Sequence, residues 1–262
     1  MPIPVFHVDA FTNRPFAGNP AAVCPLEAWL DDTTLLSVAA ENNLSETAFF
    51  VPRGDAYELR WFTPRCEVKL CGHATLGSAF VILQFLAKGQ ETVRFETRFS
   101  GSLSVSCDGN ALAMNFPALP PWKCANPPNE LFEGLKKTPE AILQIEDNYF
   151  VVYPHEEDVK NVRPDFSLLE KLHPAGVAIT APGNSSDFVS RYFAPSYGIP
   201  EDPVTGSTHC SLAPYWAGRL GKEKLHARQV SERGGELWCE LRKDRVTLKG
   251  HAVLTLRGEL LI

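Results

Sequence analysis

Side chains able to carry a proton or hold an anion recur at matched places in the two halves of this 262-residue chain. Cys71-Gly72-His73-Ala74 lies over Thr205-Gly206-Ser207-Thr208, at an offset of 134 residues. Each string follows an acidic residue, Glu67 or Glu201, and begins a predicted helix. Because the first backbone N–H groups of a helix and its dipole favour anions, the two helix starts predict a site for a substrate carboxylate in a cleft between the halves.

A purely structural interpretation of these two turns stays open. Gly72 and Gly206 could serve only to permit a tight turn, and Ser207 could be an ordinary helix cap. The presence of both turns at matched positions favours the anion-binding interpretation.

Glu46 is the most informative departure from the repeat, because no carboxylate stands at its counterpart near Gly176. It lies between a predicted helix and the apolar strand Ala48–Val51. A carboxylate that is partly shielded from water at such a position suits a general base. The alternative is a solvated loop carboxylate or a capping residue.

Three further side chains at the turns could take part in chemistry. His73 could carry a proton near neutral pH, and the helix dipole is expected to keep it neutral. Asp202 could also take part, or could be an ordinary turn aspartate before a proline. Cys71 stands where a thiol can be activated. Because Thr205 occupies the matching position, a buried and inert Cys71 is the better interpretation.

No metal or organic cofactor is predicted. Cys66 and Cys71 form one C-x4-C pair with no second pair, which supports a zinc site only weakly. No Gly-rich dinucleotide or phosphate-loop motif follows a strand.

The elements that must position these residues are themselves repeated. Arg60-Trp61-Phe62-Thr63-Pro64 recurs as Arg191-Tyr192-Phe193-Ala194-Pro195 at an offset of 131 residues, half the chain length. Each half reads as short strands around one apolar helix, the first from His73 to about Lys88 and the second from Ser207 to about Leu220. The pattern predicts an α+β fold of two similar domains with mixed or antiparallel sheets, joined by a linker at 117–128 that contains five prolines.

Composition excludes several classes of function. The formal net charge is −6, and no Lys/Arg stripe is present, which disfavours binding to nucleic acid or to an anionic membrane. The longest apolar stretch, Ala79–Leu83, is far shorter than the ~20 residues of a membrane helix. Seven scattered cysteines and the absence of a signal-peptide pattern at the start predict a cytoplasmic protein with free thiols.

The motifs together resemble those of the phenazine-biosynthesis isomerase family (PhzF-like), which is similar in fold to diaminopimelate epimerase. The strings that carry the resemblance are Asp9-Ala10-Phe11-Thr12 with Gly18-Asn19-Pro20-Ala21-Ala22-Val23, Asn43-Leu44-Ser45-Glu46-Thr47-Ala48-Phe49, the two repeated strands, Leu70-Cys71-Gly72-His73-Ala74-Thr75 and Glu201-Asp202-Pro203-Val204-Thr205-Gly206-Ser207-Thr208-His209. The resemblance covers nearly the whole chain.

The resemblance implies two domains related by a pseudo-twofold axis, each a β-barrel-like sheet around a central helix. Their predicted extents are 1–117 with 252–262, and 118–251. It implies catalytic roles for Glu46 as general acid/base and for His73, Asp202 and Ser207. Gly72, Gly206, Asn19 and Thr205 are predicted to bind the substrate. A homodimer without metal or organic cofactor is also implied.

The predicted function is an isomerase that shifts a proton on a small carboxylate-bearing metabolite, with Glu46 as the base. Two alternatives stay open: a two-base racemase or epimerase that uses thiols, and a binding or interaction protein that kept the scaffold without turnover. Diaminopimelate epimerase uses a thiol at each helix start, and Thr205 stands at the second, which disfavours the first alternative.

Overall fold

The computed structural model describes residues 2–172 and 175–262, and these divide into two compact units. The first unit comprises the residues up to Asn115 together with Leu248–Ile262, and the second comprises Phe116–Thr247. Within the described ranges, no helix combines the length and the apolar character needed to cross a membrane.

The first unit is a mixed sheet with two α-helices. Its strands are β1 (Ile3–Ala10), β2 (Asn19–Pro25), β3 (Glu46–Arg53), β4 (Ala56–Phe62), β5 (Glu67–Val68), β6 (Thr92–Thr97), β7 (Gly101–Asp108), β8 (Ala111–Pro117, which extends two residues past the unit) and β18 (Ala252–Leu260). Its helices are α1 (Asp32–Asn42) and α2 (Gly72–Val81).

Helix α2 is the centre of the first unit. It contacts β1, β2 and β3 and also β18 and β7, strands from opposite ends of the sheet order, so the sheet curves around it. All its residues except Gly72 and Phe80 are buried, as expected of a helix that is apolar on every face. The predicted helix ran from His73 to about Lys88. The α-helix ends at Val81, and a π-helical turn over Ile82–Leu86 continues it.

The second unit repeats this design with more short helices. Its strands are β9 (Trp122–Lys123), β10 (Ala141–Ile145), β11 (Asn148–Val152), β12 (Gly176–Pro182), β13 (Phe188–Ala194), β14 (Ile199–Asp202), β15 (Lys224–Gln229), β16 (Gly235–Arg242) and β17 (Arg245–Gly250, which extends three residues past the unit). Its α-helices are α3 (Asn129–Leu135), α4 (Glu156–Asn161), α5 (Phe166–Leu169) and α6 (Gly206–Leu220).

Strand pairing follows the same sequence of directions in both units. In the first, β1–β2 is antiparallel, β2–β3 parallel, β3–β4 antiparallel and β4–β6 parallel, with β5 paired beside β4. In the second, β10–β11, β11–β12, β12–β13 and β13–β15 repeat that order, with β14 beside β13. The internal sequence repeat is therefore a repeat of topology.

The central strands of each sheet are buried on both faces. In the first unit, α2 covers one face, and α1 covers the other through a core that includes Leu35, Val38 and Phe49. In the second, α3, α4 and α5 contribute Leu131, Val159 and other side chains to a comparable core. Strands such as β2 and β12 therefore read as nearly continuous apolar runs, as expected where both faces are covered.

The repeated Arg-x-Phe string anchors the turn that leads into the central helix of the first unit. Arg60 and Phe62 lie on one face of β4, and the guanidinium carbon is 5.0 Å from the ring centroid. The guanidinium donates two hydrogen bonds to Glu67 of β5, at 2.7 and 2.8 Å. This forked contact fixes the short strand just before Cys71.

The second unit builds the same anchor before α6. Arg191 donates to Glu201 of β14 at 2.7 and 2.8 Å, and its guanidinium carbon lies 4.9 Å from the Phe193 centroid. Arg191 is buried and also donates to the carbonyls of Val159 and Val162. A charge in this position must stay paired.

Replacing Glu201 by alanine should leave the buried Arg191 guanidinium without its carboxylate. We expect the free energy of unfolding to fall by about 2–4 kcal/mol, measured by urea denaturation. The matched control is Glu140→Ala, which removes an exposed partner of Arg219 and should cost under ~1 kcal/mol. Equal losses in the two variants would show that the Arg191–Glu201 pair does not anchor the turn.

Candidate active site

Parallel pairing of β2 and β3 places the first polar residues of the site side by side, at the N-terminal ends of the two strands. β2 begins at Asn19 and β3 begins at Glu46, and Glu46 lies opposite Ala21 in the parallel register. Helix α2 begins at Gly72 and brings His73 to the same strand ends. Residues far apart in sequence are thereby gathered in the first unit.

His73 contacts two of these side chains through its two ring nitrogens. Its Nε2 lies 3.2 Å from Oε2 of Glu46, and its Nδ1 accepts a hydrogen bond from Nδ2 of Asn19 at 3.1 Å. All three residues are buried. With the Asn19 amide donating to Nδ1, the ring proton resides on Nε2, where it faces the Glu46 carboxylate.

Burial keeps this imidazole uncharged. Removal from water lowers the pKa of His73 to about 3, because the charged form is the one that desolvation disfavours. The pair is therefore a carboxyl group beside a neutral imidazole, and not an imidazolium ion pair.

Cys71 completes the cluster in the first unit. Its Sγ lies 3.5 Å from Nδ1 and 3.9 Å from Nε2 of His73, and its side chain is buried. One ligand atom each from Glu46, Cys71 and His73 can be chosen so that all three lie within 4.8 Å of one another. The Cys71 thiol therefore lies next to the imidazole that faces Glu46.

The predicted residues of the second unit form a hydrogen-bonded turn before α6. The Thr205 hydroxyl donates to the carboxylate of Asp202. Gln229, at the end of β15, accepts from the Thr205 backbone N–H at 2.9 Å and donates to the Asp202 carbonyl at 2.8 Å. Asp202 and Thr205 are both buried. The turn is held in one conformation by side chains that are distant in sequence.

The two glycines and Ser207 occupy the first turns of the central helices. Gly72 and Gly206 are the first residues of α2 and α6, and Ser207 is exposed to solvent. Neither Cys71 nor Thr205, the two N-cap residues, makes a side-chain capping bond among the described residues. The first backbone N–H groups of both helices therefore receive no hydrogen bond from an N-cap side chain.

The structure shows why the second unit has no counterpart of Glu46. Gly176 begins β12 as Glu46 begins β3, and a Cβ atom there would lie 2.0 Å from the Tyr192 hydroxyl. That hydroxyl donates to Asn148, which begins β11 as Asn19 begins β2. Burial raises the pKa of Tyr192 further above its ordinary value. The position of the carboxylate in one unit is filled by a neutral phenol in the other.

Two buried polar residues near the start of α6, Gln229 and His209, are not predicted from the sequence as parts of the site. Gln229 has no polar counterpart in the first half, where Phe95 stands at the offset of 134, so the repeat gave no signal for it. His209 is not among the predicted site residues. Its Nδ1 is 2.8 Å from the Thr205 carbonyl, and burial lowers its pKa to about 4. At the matching place in α2, the Thr75 hydroxyl donates to the Cys71 carbonyl.

Comparison with known proteins agrees with this architecture. An uncharacterized isomerase of Pseudomonas aeruginosa is 52% identical over 260 residues, which cover 99% of each chain. A crystal structure of a PhzF-family phenazine biosynthesis protein from Enterococcus faecalis superposes with a TM-score of 0.95 at 44% identity, covering 100% of each chain. A predicted epimerase from P. aeruginosa gives a TM-score of 0.74 at 22% identity over 99% of each chain, which supports the fold alone.

These similarities confirm the predicted α+β, diaminopimelate epimerase-like fold. Residues 8–258 match the family described as phenazine biosynthesis-like protein, PhzC-PhzF. The chain therefore belongs to the PhzC-PhzF family of phenazine biosynthesis-like proteins.

Proposed function

We propose that this protein is a cofactor-independent isomerase that moves a proton on a small carboxylate-bearing metabolite. The isomerase class rests on the family and on relatives such as the P. aeruginosa isomerase. The assignment of a base rests on one observation in the first unit: the buried Glu46 carboxylate lies 3.2 Å from Nε2 of a neutral, buried His73.

Glu46 is the group that removes a proton from carbon and returns it elsewhere along a conjugated system. A carboxylate that is buried beside a neutral imidazole keeps its basicity for the substrate. A well-placed general base contributes ~10²–10⁴ to the rate.

His73 supports the reaction as a neutral hydrogen-bond donor. The Asn19 amide directs the ring proton to Nε2, on the side of Glu46. A neutral donor can stabilise negative charge that develops on the substrate and leave the Glu46 carboxylate basic. An imidazolium would instead pair with that carboxylate and lower its basicity. The first-turn amides of α2 offer further donors to a carboxylate.

The second unit contributes Asp202 and Ser207 to the same proposal. The bonds from Thr205 and Gln229 hold Asp202 in place, and Ser207 is exposed at the start of α6. Groups fixed before the substrate arrives lose little entropy in the reaction. The expectation that both units act on one substrate stays a prediction, as do the homodimer and the cytoplasmic location.

A thiol-dependent epimerase is the second candidate, and one contact favours it. Cys71 Sγ lies 3.5 Å from Nδ1 of His73, within reach of a proton relay. The position of a second thiol is held by Thr205, whose hydroxyl is engaged with Asp202. Full turnover in Cys71→Ser would eliminate this candidate.

Glu46→Gln should strongly reduce proton exchange between substrate carbon and solvent. The wild-type protein is incubated in D₂O with a panel of small unsaturated carboxylic acids, and deuterium at carbon is followed by mass spectrometry. We expect exchange to fall by ~10²–10⁴ in the variant, because the amide is not basic. Glu41→Gln, an exposed substitution of the same type, should retain the wild-type rate.

Exchange at the wild-type rate in Glu46→Gln would refute the assignment of Glu46 as the base. Binding of an acid without exchange would favour a binding protein.

Asp202→Asn should lower kcat/KM by about 10- to 100-fold while the protein stays folded, since the carboxamide keeps the shape but loses the charge. Asp187→Asn removes a carboxylate of the same unit that accepts from His226 N and should leave kcat/KM unchanged. Steady-state kinetics on the substrate found by exchange make the comparison. An unaltered kcat/KM in Asp202→Asn would place Asp202 outside the reaction.

Two buried neutral histidines should make the protein less stable in mild acid. The pKa values of His73 and His209 are lowered to about 3 and about 4, so below pH ~6.5 the unfolded chain binds protons that the folded chain does not. Stability is therefore fully present above pH ~6.5 and is lost as the pH falls toward 4. Urea denaturation should give a slope against pH that His209→Asn reduces by up to ~1.4 kcal/mol per pH unit. An unchanged slope in His209→Asn would contradict a neutral His209.

A further inference from the structure

Three side chains of different chemistry converge at the start of α2. Glu46, Cys71 and His73 are 9%, 6% and 5% exposed, and a carboxylate oxygen, a thiol sulfur and an imidazole nitrogen lie within 4.8 Å of one another. They come from the first residue of β3, the N-cap of α2 and the second residue of that helix. Such a set differs from a solvated acidic cluster, because it joins hard and soft donors away from water.

Two of the three donor spacings are close to those around a tetrahedral zinc ion. With Zn–N and Zn–O near 2.1 Å and Zn–S near 2.3 Å, the edges of a tetrahedron are about 3.4 Å for N···O and about 3.6 Å for N···S. In the structure, Nε2 of His73 lies 3.2 Å from Oε2 of Glu46 and 3.9 Å from Sγ of Cys71. Shifts of a few tenths of an ångström would bring both edges to the ideal values.

The charges of the set also suit a divalent cation. A Cys71 thiol that releases its proton on binding would add one negative charge to that of the Glu46 carboxylate, and an imidazole ligand adds none. A bound Zn²⁺ would therefore leave the buried site without net charge, which lowers the cost of placing an ion away from water. Sulfur and imidazole ligands select zinc over magnesium or calcium, which prefer oxygen.

Asn19 supplies the outer contact that such a site needs. A histidine that binds metal through Nε2 carries its proton on Nδ1, and that proton requires an acceptor. The Asn19 carboxamide lies 3.1 Å from Nδ1, and rotation of the amide presents its oxygen in place of its nitrogen. One buried residue can thus serve both states of the ring.

We propose that Glu46, Cys71 and His73 bind Zn²⁺, or another thiophilic divalent cation, and that the ion inhibits the protein. The bound ion occupies Oε2 of Glu46 and the Nε2 atom that faces it, so neither can take part in proton transfer. The inhibitory consequence rests on the proposed function; the metal site itself does not.

Metal binding is tested on the full-length protein with Zn²⁺ alone by calorimetry, and with Co²⁺ as a spectroscopic probe. We expect one ion per chain and a thiolate-to-Co²⁺ charge-transfer band in the near ultraviolet. Cys71→Ser should remove that band and weaken Zn²⁺ binding by at least about 100-fold, since loss of even an outer contact costs 10- to 100-fold. Cys66→Ser, which changes an exposed cysteine five residues away, should bind as the wild type does.

Several results would overturn the site. They are an absence of binding by the wild type, equal binding by Cys71→Ser, or an equal loss in Cys66→Ser. Glu46→Gln provides a second variant should Cys71→Ser fail to fold, and it should also weaken Zn²⁺ binding.

The deuterium-exchange assay separates the two claims. Exchange that is lost in Glu46→Gln but unaffected by saturating Zn²⁺ would refute inhibition and leave the isomerase proposal standing. Zn²⁺ binding that requires Cys71, together with wild-type exchange in Glu46→Gln, would refute the base and leave the metal site standing.

Discussion

Enclosure of an apolar helix is the constraint on which the first unit depends. Helix α2 is buried along nearly its whole length, so the sheet must cover it on all sides, and strands from both ends of the sheet order contact it. The side chains at its first turn are then buried with it. His73 is held away from water and stays neutral because the fold leaves it no other position. The chemistry proposed for Glu46 follows from that packing.

Duplication supplied two equal scaffolds, and small differences gave them different chemistry. Both units anchor the turn before the central helix with the same forked arginine–glutamate contact. However, Glu46 is the first residue of one strand, and Gly176 is the first residue of its counterpart. The Tyr192 hydroxyl occupies the space that a side chain at Gly176 would need. Cys71 and Thr205 differ in the same way at the N-caps. Among the residues that the structure describes, a carboxylate oxygen, an imidazole nitrogen and a thiol sulfur within 4.8 Å of one another are found in the first unit alone.

The extent to which the sequence predicted this arrangement depends on how local each signal was. The fold followed from colinear repeats such as Arg60–Phe62, because the same strand, turn and helix must form twice. Glu46 stood out because its counterpart lacks a carboxylate. Gln229 and the Tyr192 hydroxyl could not be predicted, since their contacts join strands far apart in sequence and obey no spacing rule. Cys71 was expected to be inert, and its contact with His73 appears only in three dimensions.

The protonation state of His73 tests the central claim most directly. Nitrogen-15 NMR of the histidine side chains, with His73 assigned by substitution, reports which ring nitrogens carry protons. A carboxylate base beside a neutral donor predicts the Nε2–H tautomer of His73, with no titration between pH 5 and pH 8. An imidazolium in that range would mean that Glu46 is locked in an ion pair, and it would contradict the account of Glu46 as a base.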